Sequence, residues 1–389
     1  MIHQVTKRLV VLFRRDRGKR KVNDCLGIIN LDEKENRMGE LVTNRPLASV
    51  PIAARYRIID FVLSNMTNSG IECIGIFAKN KSRSLMDHLT NGRPWDLHRK
   101  KDGLKVFNFG DDDPSYDDVH NFLDNIAFVK YSRKEYVLLS PSYMICNIDY
   151  DKALKEHKRS NNDITVIYKN VNNAHKSFYS CETLNIDDNN RVISIGENLG
   201  NNIDANISME MYIMSTELFI DIVHESVSNG MYRKIKQFIH SNLDNMRVGS
   251  YRFDGYLSCI NSLNSYYNAN MDLLKDDVNS ELFYDGKPIY TKVKDEPPTH
   301  YTESSLVSNS IIANGCLIEG EVKNCVISRR VFVAKNSKLE NCVILQNSVI
   351  GQNASLENLI ADKGTEIKEG KKYNGSNVWP LVMKSRRCL

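Results

Sequence analysis

From Leu26 to about Asn279 the chain alternates between two textures. Short runs rich in β-branched and aromatic residues, "CIGIF", "EYVLLS", "DITVIYK" and "MEMYIMS", take turns with helical stretches such as "YDKALKEHKRSN" and "TELFIDIVHESV". Strands alternating with helices build βαβ units around a largely parallel sheet covered on both faces. Residues 24–280 are therefore predicted to form a doubly wound, Rossmann-like α/β domain. Within it "RYRIIDFVLSN", Arg55 to Asn65, followed by "MTNSGIECIGIF", reads as a helix leading into a strand. "YDGKPIYTKVKDEPPTHY", with Pro288, Pro297 and Pro298, breaks both periodicities and marks a connecting segment over 281–300.

Beyond it, over 301–389, the pattern changes again. Ile312 and Ile318 stand six apart, as do Ile327, Val333 and Leu339; after a one-residue slip, Ile344, Ile350 and Leu356 resume the step. Segments such as "IGQNAS" and "VAKNSK" fit a hexad of one aliphatic residue followed by small and polar ones. One inward aliphatic side chain per six residues suits a left-handed parallel β-helix, each hexad forming one side of a triangular coil.

Composition narrows the functional classes. The chain has 389 residues, 41% of them apolar, enough to bury a substantial core. No apolar run approaches the ~18 residues of a membrane span. The formal net charge of +4 is concentrated in a basic N-terminal extension over 1–23, which leaves the rest net acidic and without a basic face for nucleic acid. Nine cysteines show neither a C-x-x-C pair nor metal-type spacing with histidine. That usage predicts reduced thiols, a cytoplasmic location, no disulfides and no structural zinc.

Three motifs carry a family resemblance: "YRIIDFVLSNMTNSGI" near the start, "SYYNANMDLL" at 265–274 and "YTKVKDEPPT" before the repeats. With an α/β domain followed by hexad repeats, the chain resembles the bacterial ADP-glucose pyrophosphorylases, over nearly its whole length after residue 24. These enzymes join glucose 1-phosphate and ATP into ADP-glucose and pyrophosphate for glycogen synthesis. The resemblance implies a nucleotidyltransferase-like domain and a site that places phosphates with backbone N–H groups, basic side chains and Mg²⁺ on carboxylates.

Position by position, that machinery is missing. The family's glycine-rich loop aligns onto "NLDEKENRM", where only Arg37 survives and the two central glycines become Asp32 and Glu33, negative charges set against a triphosphate. The lysine of K-P-A-V-x-F lands on Leu47, and the small residues of G-T-A-D-A on "DDVHN", Asp117 to Asn121. The two metal aspartates fall on Tyr143 and Cys259, with Asp149 and Asp254 nearby as possible substitutes. On the sugar-phosphate side, E-K-P becomes "ENL", keeping Glu197 but replacing lysine by Asn198, and S-M-G becomes "SME", keeping Ser208 with Glu210 at the glycine position.

The resemblance thus implies a chain without catalytic residues of its own. Arg37, Glu197 and Ser208 remain as substrate-binding candidates, and no Mg²⁺ site is retained, the metal belonging to a catalytic partner. Arg45, Arg55 and Arg57 match basic positions near which the family binds regulatory sugar phosphates between its domains; arginine forks suit such anions. The expected role is a regulatory subunit in a hetero-oligomer, a tetramer, with a catalytic subunit and a sugar-phosphate effector. The alternative is a nucleotidyltransferase with a rearranged active site. A hexapeptide-repeat acyltransferase is disfavoured because Ser304 to Leu389 contains no histidine. An Arg57–Asp60 ion pair, a helix-face His88, a loop-anchoring Trp95, an inert Cys259 thiol and a solvated acidic run "GDDDPSYDD" complete the expectations.

Overall fold

The computed structural model describes residues 24–33, 35–79, 82–108, 117–376 and 378–384. The basic extension over 1–23 and most of the acidic run lie outside them. Among the described residues nine strands form one central sheet. In chain order they are β1 (Cys25–Asn30), β2 (Cys73–Ala78), β3 (Gly103–Asn108), β4 (Tyr136–Ser140), β5 (Ile164–Val171), β6 (Glu182–Ile186), β7 (Val192–Glu197), β8 (Ala205–Ser215) and β9 (Val248–Arg252). They lie in the order β7–β6–β8–β4–β1–β2–β3, with β5 also beside β8 and β9 beside β5. β1 pairs in parallel with both β2 and β4. β8 runs antiparallel to β4, β5 and β6, so the sheet is mixed at that point.

Both faces are covered. Helices α1 (Ile58–Asn68) and α3 (Tyr150–Ser160) seal one face through Ile59, Val62, Leu63, Met66, Ala153 and Leu154. Helices α2 (Asp118–Asp124), α4 (Thr216–Asn229) and α5 (Ile235–Ser241) seal the other through Phe122, Phe219, Ile222, Phe238 and Ile239. Helix α6 (Leu263–Asp272) packs toward the C-terminal region. No helix of the described residues is long and apolar enough to cross a membrane.

The polar residues of the family motifs serve this scaffold. In α1, Ser64 Oγ accepts from Tyr290 N at 2.8 Å and Asn68 donates to Pro288 O at 2.9 Å, strapping the connecting segment along the helix. Buried Asn65 donates to Cys146 O at 2.9 Å. In α6, Tyr266 Oη donates to Pro51 O at 2.6 Å, and Asn270 Oδ1 accepts from Ala53 N at 3.1 Å. Those two bonds hold a hairpin turn in which Ala53 and Ala54 take φ of 51° and 62°, a left-handed conformation costly for alanine. Tyr267 Oη reaches Asn341 O at 2.8 Å and ties the domain to the C-terminal coils.

Those coils form a parallel β-helix. Ile318, Val333, Ile350 and Ile367 stack on one side, Val322, Leu339 and Leu356 on the second, and Ile312, Ile327, Ile344 and Ala361 on the third. The six-residue ladder read from the sequence needs correction. From Ile327 onward the steps run six, six and five, so that Val333, Ile350 and Ile367 are 17 residues apart. The apparent slip between Leu339 and Ile344 recurs in every turn, from Leu356 to Ala361. In two successive turns that corner is crossed by one unbroken strand, Lys338–Ile344 and Ser355–Ala361, whereas the six-residue corners interrupt the strands. Asn309, Asn324, Asn341 and Asn358 occupy one corner with positive φ, which asparagine tolerates better than most residues. Their side chains hydrogen-bond in a ladder at 2.8, 3.2 and 3.3 Å.

Candidate functional site

β1 leads to β2 on one side, yet the chain returns to β4 on the other, so the strand order reverses between β1 and β4. Ligand crevices of open α/β sheets form beyond the carboxyl ends of strands at such a point. A cleft of about 490 Å³ lies there, bounded by Asn30 and Asp32 after β1 and by Leu139 to Tyr143 at the end of β4. Asp32, Glu33, Arg37, Leu47, Tyr143, Glu197, Glu210 and Cys259 all line it. Ser208 does not: its hydroxyl is buried and accepts from Glu210 N at 3.1 Å, within its own strand bulge.

The cleft's charges neutralise one another. Asp32 is bridged by Lys79 and by Lys234, the latter at 2.5 Å. Burial alone would raise its pKa, but the two ammonium groups hold the carboxyl below its usual value. Lys236 spans Glu182 and Glu210, each at 2.9 Å. Burial opposes ionisation of Glu182, yet His240 and Lys236 draw its pKa down to about 2. Glu33 behaves differently from the expectation of a repelling charge. Its Oε1 accepts from Ser142 N at 2.6 Å, and burial pushes its pKa up to about 8, so it is largely neutral at pH 7. Burial, reinforced by Asp32, does the same to Asp118, also to about 8.

Local backbone explains two further positions. Glu210 stands where the family has glycine, and its φ of 52° keeps the left-handed conformation that glycine favours. Asn198, at the lysine position, turns away from the cleft: its Nδ2 donates to Ala174 O at 2.8 Å and Phe178 O at 2.9 Å. Arg37 is exposed and stacks 5.0 Å over the ring of Tyr179, while Glu197 is exposed at the lip.

Mg²⁺ takes hard oxygen ligands, usually one or two carboxylates with waters. The residues at the metal positions do not fit it. Tyr143 is a phenol whose pKa burial and Glu210 drive well above the usual value. The Cys259 thiol lies 3.2 Å from Cys181 Sγ, and that contact, with burial, raises its pKa well above the usual value as well, so it is no nucleophile. Asp149 caps α3 and bridges Lys287 at 3.0 Å; Asp254 bridges Arg252 at 2.7 Å. Neither lines the cleft. The eight cysteines among the described residues are free and buried.

The arginine triplet lies at the junction of the two domains. Arg45 is buried and bridges Asp362 of the β-helix, while its Nε donates to Leu41 O at 2.8 Å. Arg55 is exposed and stacks on Tyr56. Arg57 does not form the expected side-chain pair with Asp60. Its backbone N donates to Asp60 Oδ2 at 2.9 Å as a helix cap, and its guanidinium donates to Ser84. Asp60 pairs instead with His88 at 2.5 Å, and His88 is buried edge-on against Trp95, with no cleft exposure. Sequence reasoning missed Lys294 and Lys363. Both stand within electrostatic reach of Arg57, and neither has a salt-bridge partner within 4.0 Å among the described residues. Burial and the neighbouring Arg57 and Arg45 lower the Lys363 pKa to about 7. It missed Lys79, Lys234 and Lys236 too, because nothing in "YRKIKQF" marks a cleft lysine until the fold closes.

Comparison with known proteins agrees with this architecture. Residues 36–276 match the nucleotidyl transferase family, and residues 297–375 match the GlmU-like C-terminal hexapeptide family. The chain is similar to the glycogen biosynthesis protein GlgD of Bacillus subtilis (strain 168), at 38% identity over 93% of this chain and 96% of that protein. It is similar to GlgD of Geobacillus stearothermophilus at 35% identity, over 81% of this chain and 82% of the relative. The glucose-1-phosphate adenylyltransferase of Mycoplasma mobile is 32% identical, over 81% of this chain and 84% of that enzyme. With the reversal point, the mixed sheet and the asparagine-cornered coils, these matches place the chain in the nucleotidyl transferase family, in the group that holds the GlgD proteins and glucose-1-phosphate adenylyltransferases.

Proposed function

We propose that this chain is a regulatory subunit, without catalysis of its own, in the formation of ADP-glucose for glycogen, and that it works in a hetero-oligomer with a catalytic relative that carries the Mg²⁺ site. One observation carries the reading. Among the described residues, the two lysines that line the cleft, Lys234 and Lys236, are tied to carboxylates and the lining Arg37 is exposed over the Tyr179 ring, so no unpaired lysine there holds a phosphate. Phosphoryl-type transfer depends on such cations and on a metal, and the loss of one electrostatic element costs ~10²–10³ in rate.

A chain with its chemistry removed acts through differential binding: it favours one state of its partner, and an effector that prefers that state is reinforced. The basic junction is where we place the effector, a sugar phosphate held by Arg45, Arg55 and Arg57 with Lys294 and Lys363. The test is co-expression with a glucose-1-phosphate adenylyltransferase that has an intact glycine loop, gel filtration of the product, and titration of the complex with fructose 1,6-bisphosphate. Separate elution contradicts the partnership. Arg45→Gln also breaks the contact with Asp362, so the cleaner variant is Lys294→Gln with Lys363→Gln. An activation curve that this pair leaves unmoved contradicts the effector site while leaving assembly intact.

A further inference from the structure

The chain does not fill its own cleft. At about 490 Å³ it lies within the ~300–1,000 Å³ of small-molecule sites. Its walls combine aliphatic side chains, Leu47, Leu139 and Ile195, with a ring of polar groups, the composition such sites share. Among those groups, buried Asp118 has one oxygen, Oδ1, without a hydrogen-bond partner, although its Oδ2 accepts from Asn30 Nδ2 at 3.1 Å. Native structures seldom leave a buried polar atom unpaired, so this oxygen marks a place where a ligand hydroxyl belongs.

The ligand's charge follows from the ion pairs. Away from the exposed mouth residues Arg37 and Glu197, an anion would have to pull Lys234 from Asp32 or Lys236 from Glu182 and Glu210, and would meet those carboxylates on arrival. A cation would find Asp32, Glu182 and Glu210 already compensated. An uncharged ligand rich in hydroxyls disturbs no pair; it can donate to the carboxylates and lay its C–H faces on the aliphatic wall.

We propose that the cleft binds a neutral saccharide of one or two hexose units, with one hydroxyl hydrogen-bonded to Asp118 Oδ1, and that it rejects the phosphorylated form of the same sugar. The largely neutral state of Asp118 and Glu33 near pH 7 fits a ligand without charge. The proposal rests on the cleft's loss of phosphate-holding groups and not on any partner, so its failure leaves the regulatory reading standing, and the reverse also holds.

The test is calorimetric titration of the purified full chain with glucose, maltose, glucose 1-phosphate and adenosine. The expected result is saturable binding of glucose or maltose with Kd of about 10 mM or lower. Glucose 1-phosphate should bind at least ~10-fold more weakly than glucose, because it must break a half-buried ion pair. Asp118→Ala should weaken the sugar ~5–10-fold while Asp118→Asn, which keeps a donor and an acceptor as the neutral acid does, stays near the parent. Ile195→Trp should abolish binding by filling the cleft; thermal melts report whether it folds, and the Asp118 pair decides if it does not. Absence of saturable binding by either sugar at about 50 mM overturns the proposal. So does glucose 1-phosphate or adenosine binding more tightly than both sugars, or binding indifferent to Asp118→Ala and to a folded Ile195→Trp.

Discussion

In helix α1 the polar side chains reach two other segments of the scaffold: Ser64 and Asn68 tie down the connecting strap, and Asn65 the loop before α3. In the loop after β1, some thirty residues earlier, Asp32 and Glu33 stand where the family presents glycines, and they spend their hydrogen bonds and charges on Lys79, Lys234 and Ser142. Both regions are tied in by side-chain contacts, but only one keeps its family sequence. The polar residues of α1 and α6 bond to the scaffold; on the proposed reading, the loop residues were free to change because the cleft no longer has to hold phosphate. A retained motif in this family is thus a statement about packing unless its atoms face the cleft.

The largest expected effect breaks the scaffold. Val333→Asp or Ile350→Asp places a carboxylate in a fully buried column of the β-helix, at a cost of several kcal/mol. Loss of the cooperative melt, or insoluble expression, is expected; an unchanged melt for both would show that these columns do not face inward.

A smaller effect sharpens the contrast inside the cleft. Glu33 holds a proton up to about pH 8 in the folded chain, whereas the unfolded carboxyl releases it near ~4.5. This group's contribution is therefore fully present below ~4.5 and is lost as pH rises through about 8. Asp118 acts in the same sense. Glu33→Gln keeps the acceptor for Ser142 N and removes the titration, so its melting temperature at pH 8.5 should exceed the parent's by several degrees, at ~2–4 °C per kcal/mol, with the gap closing toward pH 5. A gap that widens toward acid would contradict the burial of a neutral Glu33.

The smallest effect concerns the asparagine corner. Asn341→Ala loses two ladder bonds and strains a φ of 53°, a cost of about 2 kcal/mol; Asn341→Gly keeps the backbone free and should cost about half as much. Chemical denaturation of both variants checks the order.

The sequence made the α/β alternation, the connecting segment and the coil repeat legible, because each rests on a period in hydrophobicity. The five-residue step was visible only as a slip, since the asparagines at its corner, Asn324, Asn341 and Asn358, look the same in sequence as Asn336, Asn347 and Asn353 at the six-residue corners. Alignment with a family brought Asp32, Glu33, Leu47, Tyr143 and Cys259 to one place, and the cleft does contain them. What alignment could not give was ionisation and partnership. Glu33 reads as a charge in sequence and is mostly a neutral acid in the fold; Ser208 reads as a ligand and faces its own bulge. Lys234, at the entry to α5, lies some two hundred residues from the loop residue Asp32 that it neutralises, and Lys236 within α5 reaches Glu182 and Glu210; no local pattern announces such pairs.

The central claim is that this cleft no longer performs adenylyl transfer. Its most direct test is ADP-glucose formation by the purified chain alone from ATP and glucose 1-phosphate with Mg²⁺, beside an intact glucose-1-phosphate adenylyltransferase under the same conditions. The expected result is no turnover above background, since each missing electrostatic element costs ~10²–10³ in rate. Turnover within about tenfold of the intact enzyme would contradict the claim.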